Sequence, residues 1–286
     1  MEHLVESNGV QLWCETFGDP KDPAVLLIMG LGATGTAWPD ALCTALSDGG
    51  RYVIRYDNRD TGLSGKVDFA AQPYTSLDLA ADAVGLLDGL GVSTAHVVGA
   101  SMGGMIAQEI ALEHPGRLQT LTVIMSSANP LDPTTGTFRG ATVDPRVAAW
   151  MQRGQTDPPL TEEARIAHQL ELARILTGSA TEFDEAATRQ IIARDAARAG
   201  ASAAHAMQNH TAAAFASRDR SGLIASITTP TLVIHGTEDP MAPFEHGKEI
   251  ADKIPGAVFL PLEGMGHVMP SAFIPTISEA ILKHTN

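Results

Sequence analysis

The sequence predicts an α/β fold: a mostly parallel sheet with helices on both faces, carrying an all-helical insertion. Two observations predict it. Short β-rich runs alternate with helix-sized segments through residues 1–127 and again from about 230 to the end, and strands separated by helices pair in parallel, with both sheet faces covered. Between these stretches no convincing β run occurs, and alanine, arginine and acidic residues dominate. The chain therefore divides into a core of residues 1–128 and 227–286 and a helical cap of residues 129–226. With 286 residues, 44% of them hydrophobic, it can bury a core of that size.

Each element has its own signal. VQLWCETFG (10–18) alternates polar and apolar residues as a half-buried edge strand does. AVLLIM (24–29), RYVIRY (51–56), AHVVG (95–99) and LTVIM (121–125) are short β-rich runs, and the helix-sized segments 38–46, 76–90 and 102–114 lie between them. The pattern resumes with TLVIHG (231–236), a helix near 244–254, AVFLPL (257–262) and a last helix from about 271 to 284. Within the insertion, 160–176 and 184–199 place apolar residues at helical spacing behind caps at Thr161 and Asp184.

Charge and composition exclude several classes. Thirty-three acidic against nineteen basic side chains give a net charge of −14, which repels a nucleic-acid backbone and an anionic membrane surface alike. The longest apolar run, 24–33, is half the length of a membrane-spanning helix. The opening MEHLVESNGV lacks the basic-then-apolar order of a secretory leader. Cys14 and Cys43 stand among apolar neighbours and read as buried thiols in a reducing compartment. A cytoplasmic protein without nucleic-acid partners or membrane insertion is expected.

The chemistry centres on VVGASMGGMI (97–106), where a β run ends at Gly99 and a helix begins at Met102. Ser101 sits on the turn between them, within Gly99-x-Ser101-x-Gly103. A strand–turn–helix junction that tight strains the serine backbone, requires tiny residues on either side and lifts the hydroxyl clear of the sheet. A serine hydroxyl needs a base to take its proton, and the base needs a carboxylate to fix its tautomer. After TLVIHG come Glu238 and Asp239, and after AVFLPL comes EGMGH, ending at His267. Both loops follow strand ends on the edge that carries Ser101, in the chain order Ser, Asp, His. Of ten histidines, His267 alone follows the last strand and precedes the last helix, while His235 lies too close to the acid to do more than orient a strand end. The turn after LTVIM offers Ser126, Ser127 and Asn129 but no acid before Asp132, so the choice falls between Glu238 and Asp239, and Asp239 is preferred. The developing oxyanion needs two donors; the backbone N–H groups of Met102, at the helix start, and of Leu31, in the glycine-rich turn after AVLLIM, are placed to supply them. The chemistry requires neither metal nor cofactor.

Taken together, the elbow from Gly99 to Gly104, the segment from Asp57 to Ser64, the turn from Gly236 to Asp239 and the loop from Gly264 to His267 resemble the α/β-hydrolase superfamily. Met29-Gly30 in place of the usual His-Gly, RYDNRDTGLS (55–64) and HGKEIADKIPGA (246–257) are similar to the aclacinomycin methylesterase group. That resemblance implies Ser101 as nucleophile, Asp239 and His267 as its partners, Leu31 and Met102 as oxyanion donors, and a helical cap over the pocket. It also implies removal of a methyl ester from an anthracycline. Met29 departs from the superfamily pattern, so the hydrogen bonding around that loop must differ.

The substrate expected is a small to medium hydrophobic ester, held in an apolar cavity with Gly30, Trp150, Phe215 and Met265 among its lining residues. The same triad could instead serve lactone, amide or carbon–carbon bond hydrolysis, or perhydrolysis. A ligand receptor without activity is a third reading, against which the complete triad argues. A serine at the elbow argues against a dehalogenase or epoxide hydrolase, which need an aspartate there.

Overall fold

The computed structural model describes residues 1–142, 144–200 and 203–286. Its strands are β1 (Glu2–Ser7), β2 (Val10–Phe17), β3 (Ala24–Ile28), β4 (Tyr52–Tyr56), β5 (Ala95–Ala100), β6 (Leu118–Ile124), β7 (Thr231–Gly236) and β8 (Val258–Leu262). Its helices are α1 (Asp40–Asp48), α2 (Ser76–Gly89), α3 (Met102–Glu113), α4 (Pro145–Thr156), α5 (Glu162–Leu176), α6 (Glu185–Ala199), α7 (Ala203–Ala216), α8 (Phe244–Lys253) and α9 (Ile274–His284).

The strands form one sheet in the order β1-β2-β4-β3-β5-β6-β7-β8. The first two pairings, β1 with β2 and β2 with β4, are antiparallel, and the others are parallel. Every residue of β3, β4 and β5 is buried, as near-continuous apolar strands between two helical layers must be. One core cluster joins the sheet to Leu79 of α2, Ile106 of α3 and Ile250 of α8. The other joins its opposite face to Leu42 of α1 and Ile277 of α9. All the parallel strands run the same way, so the loops after β3, β5, β7 and β8 gather at one edge.

One expectation needs correction. The VQLWCETF strand is not at the edge: β1 covers it, with Leu4 opposite Trp13 and Val5 opposite Leu12. In β1 only Val5 and Ser7 are buried, and the polar remainder of EHLVES carries little strand signal. The insertion between β6 and β7 holds α4 and α7 as well as the two helices that the spacing predicts. The sequence does mark α4, whose Asp144 cap accepts the Arg146 N–H at 2.7 Å just ahead of Pro145 in the first turn. Thr161 and Asp184 cap α5 and α6 as expected, accepting from Ala164 at 3.2 Å and Ala187 at 2.9 Å.

The two ends of the insertion meet beside α3. The Arg220 N–H donates to Ala128 O at 3.0 Å, and the fully buried Glu109 receives Arg218 at 2.6 Å and Arg220 at 3.2 Å. Once desolvated, such a carboxylate is stable only while its partners remain. Cys14 and Cys43 are free and buried, and burial pushes both thiols up to about 12. Among the described residues no helix is long and apolar enough to cross a membrane.

Candidate active site

Ser101 caps α3 with φ 55° and ψ −122°, a conformation seldom adopted by a residue with a side chain. The surrounding structure holds it there. The Ser101 N–H donates to Ile124 O at 3.0 Å, and the Ser126 hydroxyl donates to Ser101 O at 2.6 Å. A Cβ at Gly99 would collide with the Gly103 carbonyl, and one at Gly103 with the Ile28 carbonyl. Both glycines are therefore required for α3 to fold back over β5 and β3.

His267 and Asp239 come from the loops after β8 and β7, and the structure brings both to Ser101. His267 Nδ1 stands 2.7 Å from Asp239 Oδ2 and its Nε2 stands 3.0 Å from Ser101 Oγ. An ionised carboxylate can only accept, so Nδ1 carries the proton and the Nε2 lone pair faces the serine hydroxyl. The other Asp239 oxygen, Oδ1, accepts the N–H groups of Met241 and Ala242, each at 2.8 Å, which fixes the carboxylate plane. His235 is fully buried and bonds Ala242 O at 2.7 Å, bracing that same turn from below. Its ring is pushed down from the ordinary histidine value by burial.

The loops after β7 and β8 are joined through their backbones. Thr237 N–H donates to Leu262 O at 3.1 Å, Glu238 N–H to Met265 O at 3.1 Å, and Gly264 N–H to Thr237 Oγ1 at 2.9 Å. Glu238, the alternative acid, turns away from His267. Its carboxylate accepts the Ser179 hydroxyl at 2.6 Å and the Ser179 N–H at 2.7 Å, which hold it below the usual carboxylate range. The same inserted segment supplies Leu176 O to the His267 N–H at 2.8 Å and the Ala180 N–H to Gly264 O at 3.1 Å. Nothing in the sequence marks residues 176–180 for this, because their partners are mostly backbone groups far along the chain.

On the other side of Ser101 lies the loop after β3. A Cβ at Gly30 would stand 3.0 Å from that of Ser101, so the loop approaches the serine as closely as a glycine permits. Leu31 follows it and packs on the cluster that includes Met102. Met102 is the first residue of α3, where the N–H has no intrahelical acceptor and the helix dipole favours negative charge. The segment 57–64 buttresses this loop. Buried Asp57 accepts the Gly35 N–H at 2.7 Å and the Leu63 N–H at 2.8 Å, and Arg198 of α6 reaches it at 2.8 Å while lying over the Trp13 ring.

The remaining pocket candidates separate. Phe215 is half-buried against the cluster that holds Met102. Trp150 stacks on the His168 ring at 4.4 Å and donates to His168 O at 2.8 Å, fastening α4 to α5. Met265 is not in an open cavity: it is fully buried in the second core with Ile234 and Leu262. Its carbonyl receives the Glu238 N–H, while the side chain packs in the core.

The arrangement can deprotonate a serine hydroxyl beside a glycine turn and a helix N-terminus, which is the equipment of acyl transfer. Residues 23–270 match the family described as alpha/beta hydrolase fold. The chain is 36% identical to the rhodomycin D methylesterase of Streptomyces peucetius, covering 99% of this chain and 97% of that one. It is also 36% identical, with the same coverage, to the rhodomycin D methylesterase of Streptomyces sp. strain C5. A solved hydrolase from Pseudomonas aeruginosa superposes with a TM-score of 0.75 at 28% identity, covering 99% of this chain and 97% of that one. The chain therefore belongs to the α/β-hydrolase fold family and is an enzyme of that family.

Proposed function

We propose that the protein is a serine hydrolase that cleaves a carboxylic ester of a small to medium apolar acid, a methyl ester of an aromatic polyketide among them, through an acyl-enzyme. The observation that carries the reading is the unbroken line from Asp239 through His267 to Ser101 Oγ, with contacts of 2.7 and 3.0 Å. The full-length similarity to two methylesterases supports an ester with a small leaving alcohol.

In this mechanism Ser101 Oγ attacks the ester carbonyl as His267 Nε2 takes its proton, and Asp239 stabilises the imidazolium. The N–H groups of Leu31 and Met102 receive the oxyanion of the tetrahedral intermediate. His267 then returns the proton to the departing alkoxide, which leaves as the alcohol. Water next attacks the acyl-serine with His267 again as base. The acid is released, and Ser101 regains its proton. Residues 129–226 act as a cap over the core of residues 1–128 and 227–286, and Phe215 is its foremost candidate for shaping the acyl site.

The test is Ser101→Ala, assayed with p-nitrophenyl esters of rising chain length, aromatic methyl esters and an organophosphonate probe. The variant is expected to fold, to lose ester turnover and to escape labelling. Labelling at the wild-type rate, or a wild type that opens lactones while sparing every open-chain ester, would overturn the reading.

A further inference from the structure

The turn that presents Leu31 is built from four residues. The Ala33 N–H donates to Gly30 O at 3.2 Å, and Gly32, third of the four, has φ 68°, as a type II turn requires. Because Gly30 C=O and Leu31 N–H share one peptide plane, the bond to Ala33 holds the carbonyl inward and turns the Leu31 N–H the other way. The next plane, that of Leu31 C=O and Gly32 N–H, could still rotate through ψ of Leu31. Something outside the turn must hold it.

That something comes from the insertion. His210 of α7 is fully buried, and its Nδ1 accepts the Gly32 N–H at 3.1 Å while its Nε2 stands 2.8 Å from Arg59 O. A carbonyl can only accept, so Nε2 carries the proton and Nδ1 is free to receive Gly32. Burial pushes the ring below the ordinary histidine value, against Asp60 and alongside Arg59 and Lys66, so it stays neutral and keeps both bonds. The edge-on ring of Tyr74, 6.3 Å away, closes another side. Arg59 is itself anchored, its guanidinium forming two 2.6 Å bonds to buried Asp82. One rigid imidazole thus spans from a fixed point of the core to the one plane of the oxyanion turn that its own bonding leaves loose.

We propose that His210 is a positioning residue for the oxyanion hole: by fixing the Gly32 peptide it fixes ψ of Leu31, so that the whole turn, including the Gly30–Ala33 bond that aims the Leu31 N–H, is held in one conformation before charge develops. The proposal rests on the assignment of Leu31 as oxyanion donor. It requires α7 to be docked for the hole to be formed, and it makes the insertion part of the chemistry as well as of specificity.

The experiment compares wild type, His210→Phe and His210→Gln in turnover of p-nitrophenyl butyrate and in inhibition by phenylboronic acid, which forms a tetrahedral adduct on an active serine. Phe keeps the ring without its hydrogen bonds, and Gln restores one acceptor and one donor. Loss of an aimed donor predicts a fall of about 10²-fold in kcat for H210F, an equal weakening of the boronate, KM within about threefold, and recovery of about tenfold or more in H210Q. A folded H210F with kcat and boronate affinity near wild type, a loss carried by KM alone, or an H210Q no better than H210F would each overturn it. Ring nitrogen chemical shifts of wild-type His210 test it independently of any variant's folding. A neutral ring protonated on Nε2 supports the proposal, and an imidazolium or an Nδ1–H ring at neutral pH overturns it. A wild type that neither hydrolyses the ester nor binds the boronate would instead overturn the proposed esterase function.

Discussion

Replacing Asp239 by asparagine exchanges a single oxygen for an amide nitrogen, yet the surrounding bonds dictate a severe effect. Oδ1 accepts two backbone N–H groups, from Met241 and Ala242, so the amide oxygen of asparagine must take that position. Its NH2 group is then forced toward His267 Nδ1, now 2.7 Å from a donor instead of an acceptor. The imidazole can answer only by giving up the Nδ1 proton and holding its proton on Nε2, where it points at Ser101 Oγ and blocks the lone pair that should take the serine proton. The geometry is preserved while the tautomer is reversed. In a serine protease the equivalent change costs about 10⁴ in kcat, or about 5 kcal/mol of transition-state stabilisation, and the same magnitude is expected here. Steady-state turnover of a p-nitrophenyl ester at pH 7, beside a melting curve, measures it. Glu238→Gln serves as the control, since that carboxylate binds Ser179 and does not reach His267. Asp239→Asn retaining activity within about tenfold of wild type, or Glu238→Gln falling further, would refute the argument.

Two further outcomes follow from packing and burial. Gly103→Ala places a methyl group against the Ile28 carbonyl, so α3 must retreat from β3, at an expected cost of about 3 kcal/mol in urea unfolding, with loss of esterase activity; a variant as stable and active as wild type would contradict this. His96, His210, His235, His246 and His284 are all held below the ordinary histidine value by burial, His96 at about 4. Near about pH 6.5 the unfolded chain takes up protons that the folded protein refuses, so stability is lost as pH falls below that value. The melting temperature should drop between about pH 6.5 and 5, ahead of most carboxylate titration. His96→Gln should flatten part of that slope, and a melting temperature that held or rose over the interval would refute the sign.

The sequence made the sheet and the meeting of Ser101, Asp239 and His267 legible for a physical reason. Buried parallel strands need near-continuous apolar runs, and a strained elbow tolerates so few residue types that Gly99, Ser101 and Gly103 identify themselves. Asp239 and His267 then follow from the loops that the topology brings to one edge. β1 was obscure because an outermost strand buries only Val5 and Ser7. The Asp144-Pro145 start of α4 was a readable signal, whereas α7 lies in an alanine-rich stretch without a stripe. Met265 turns its side chain into the core, which a loop between two glycines does not reveal in sequence. Neither Leu176 nor His210 could be found from sequence, since one offers only a carbonyl and the other binds main-chain groups 178 and 151 residues away.

The grip of Leu176 O on the His267 N–H has a consequence for how this enzyme can evolve or be redesigned. A cap that merely sat over the pocket could be shortened, exchanged with a relative's or deleted to enlarge the acyl site. Here the end of α5 is bonded to the backbone of His267, the residue proposed as general base, so a graft that omits residues 176–180 would loosen the histidine itself. A redesign that keeps residues 176–180, together with His210 of α7, leaves those backbone ties in place.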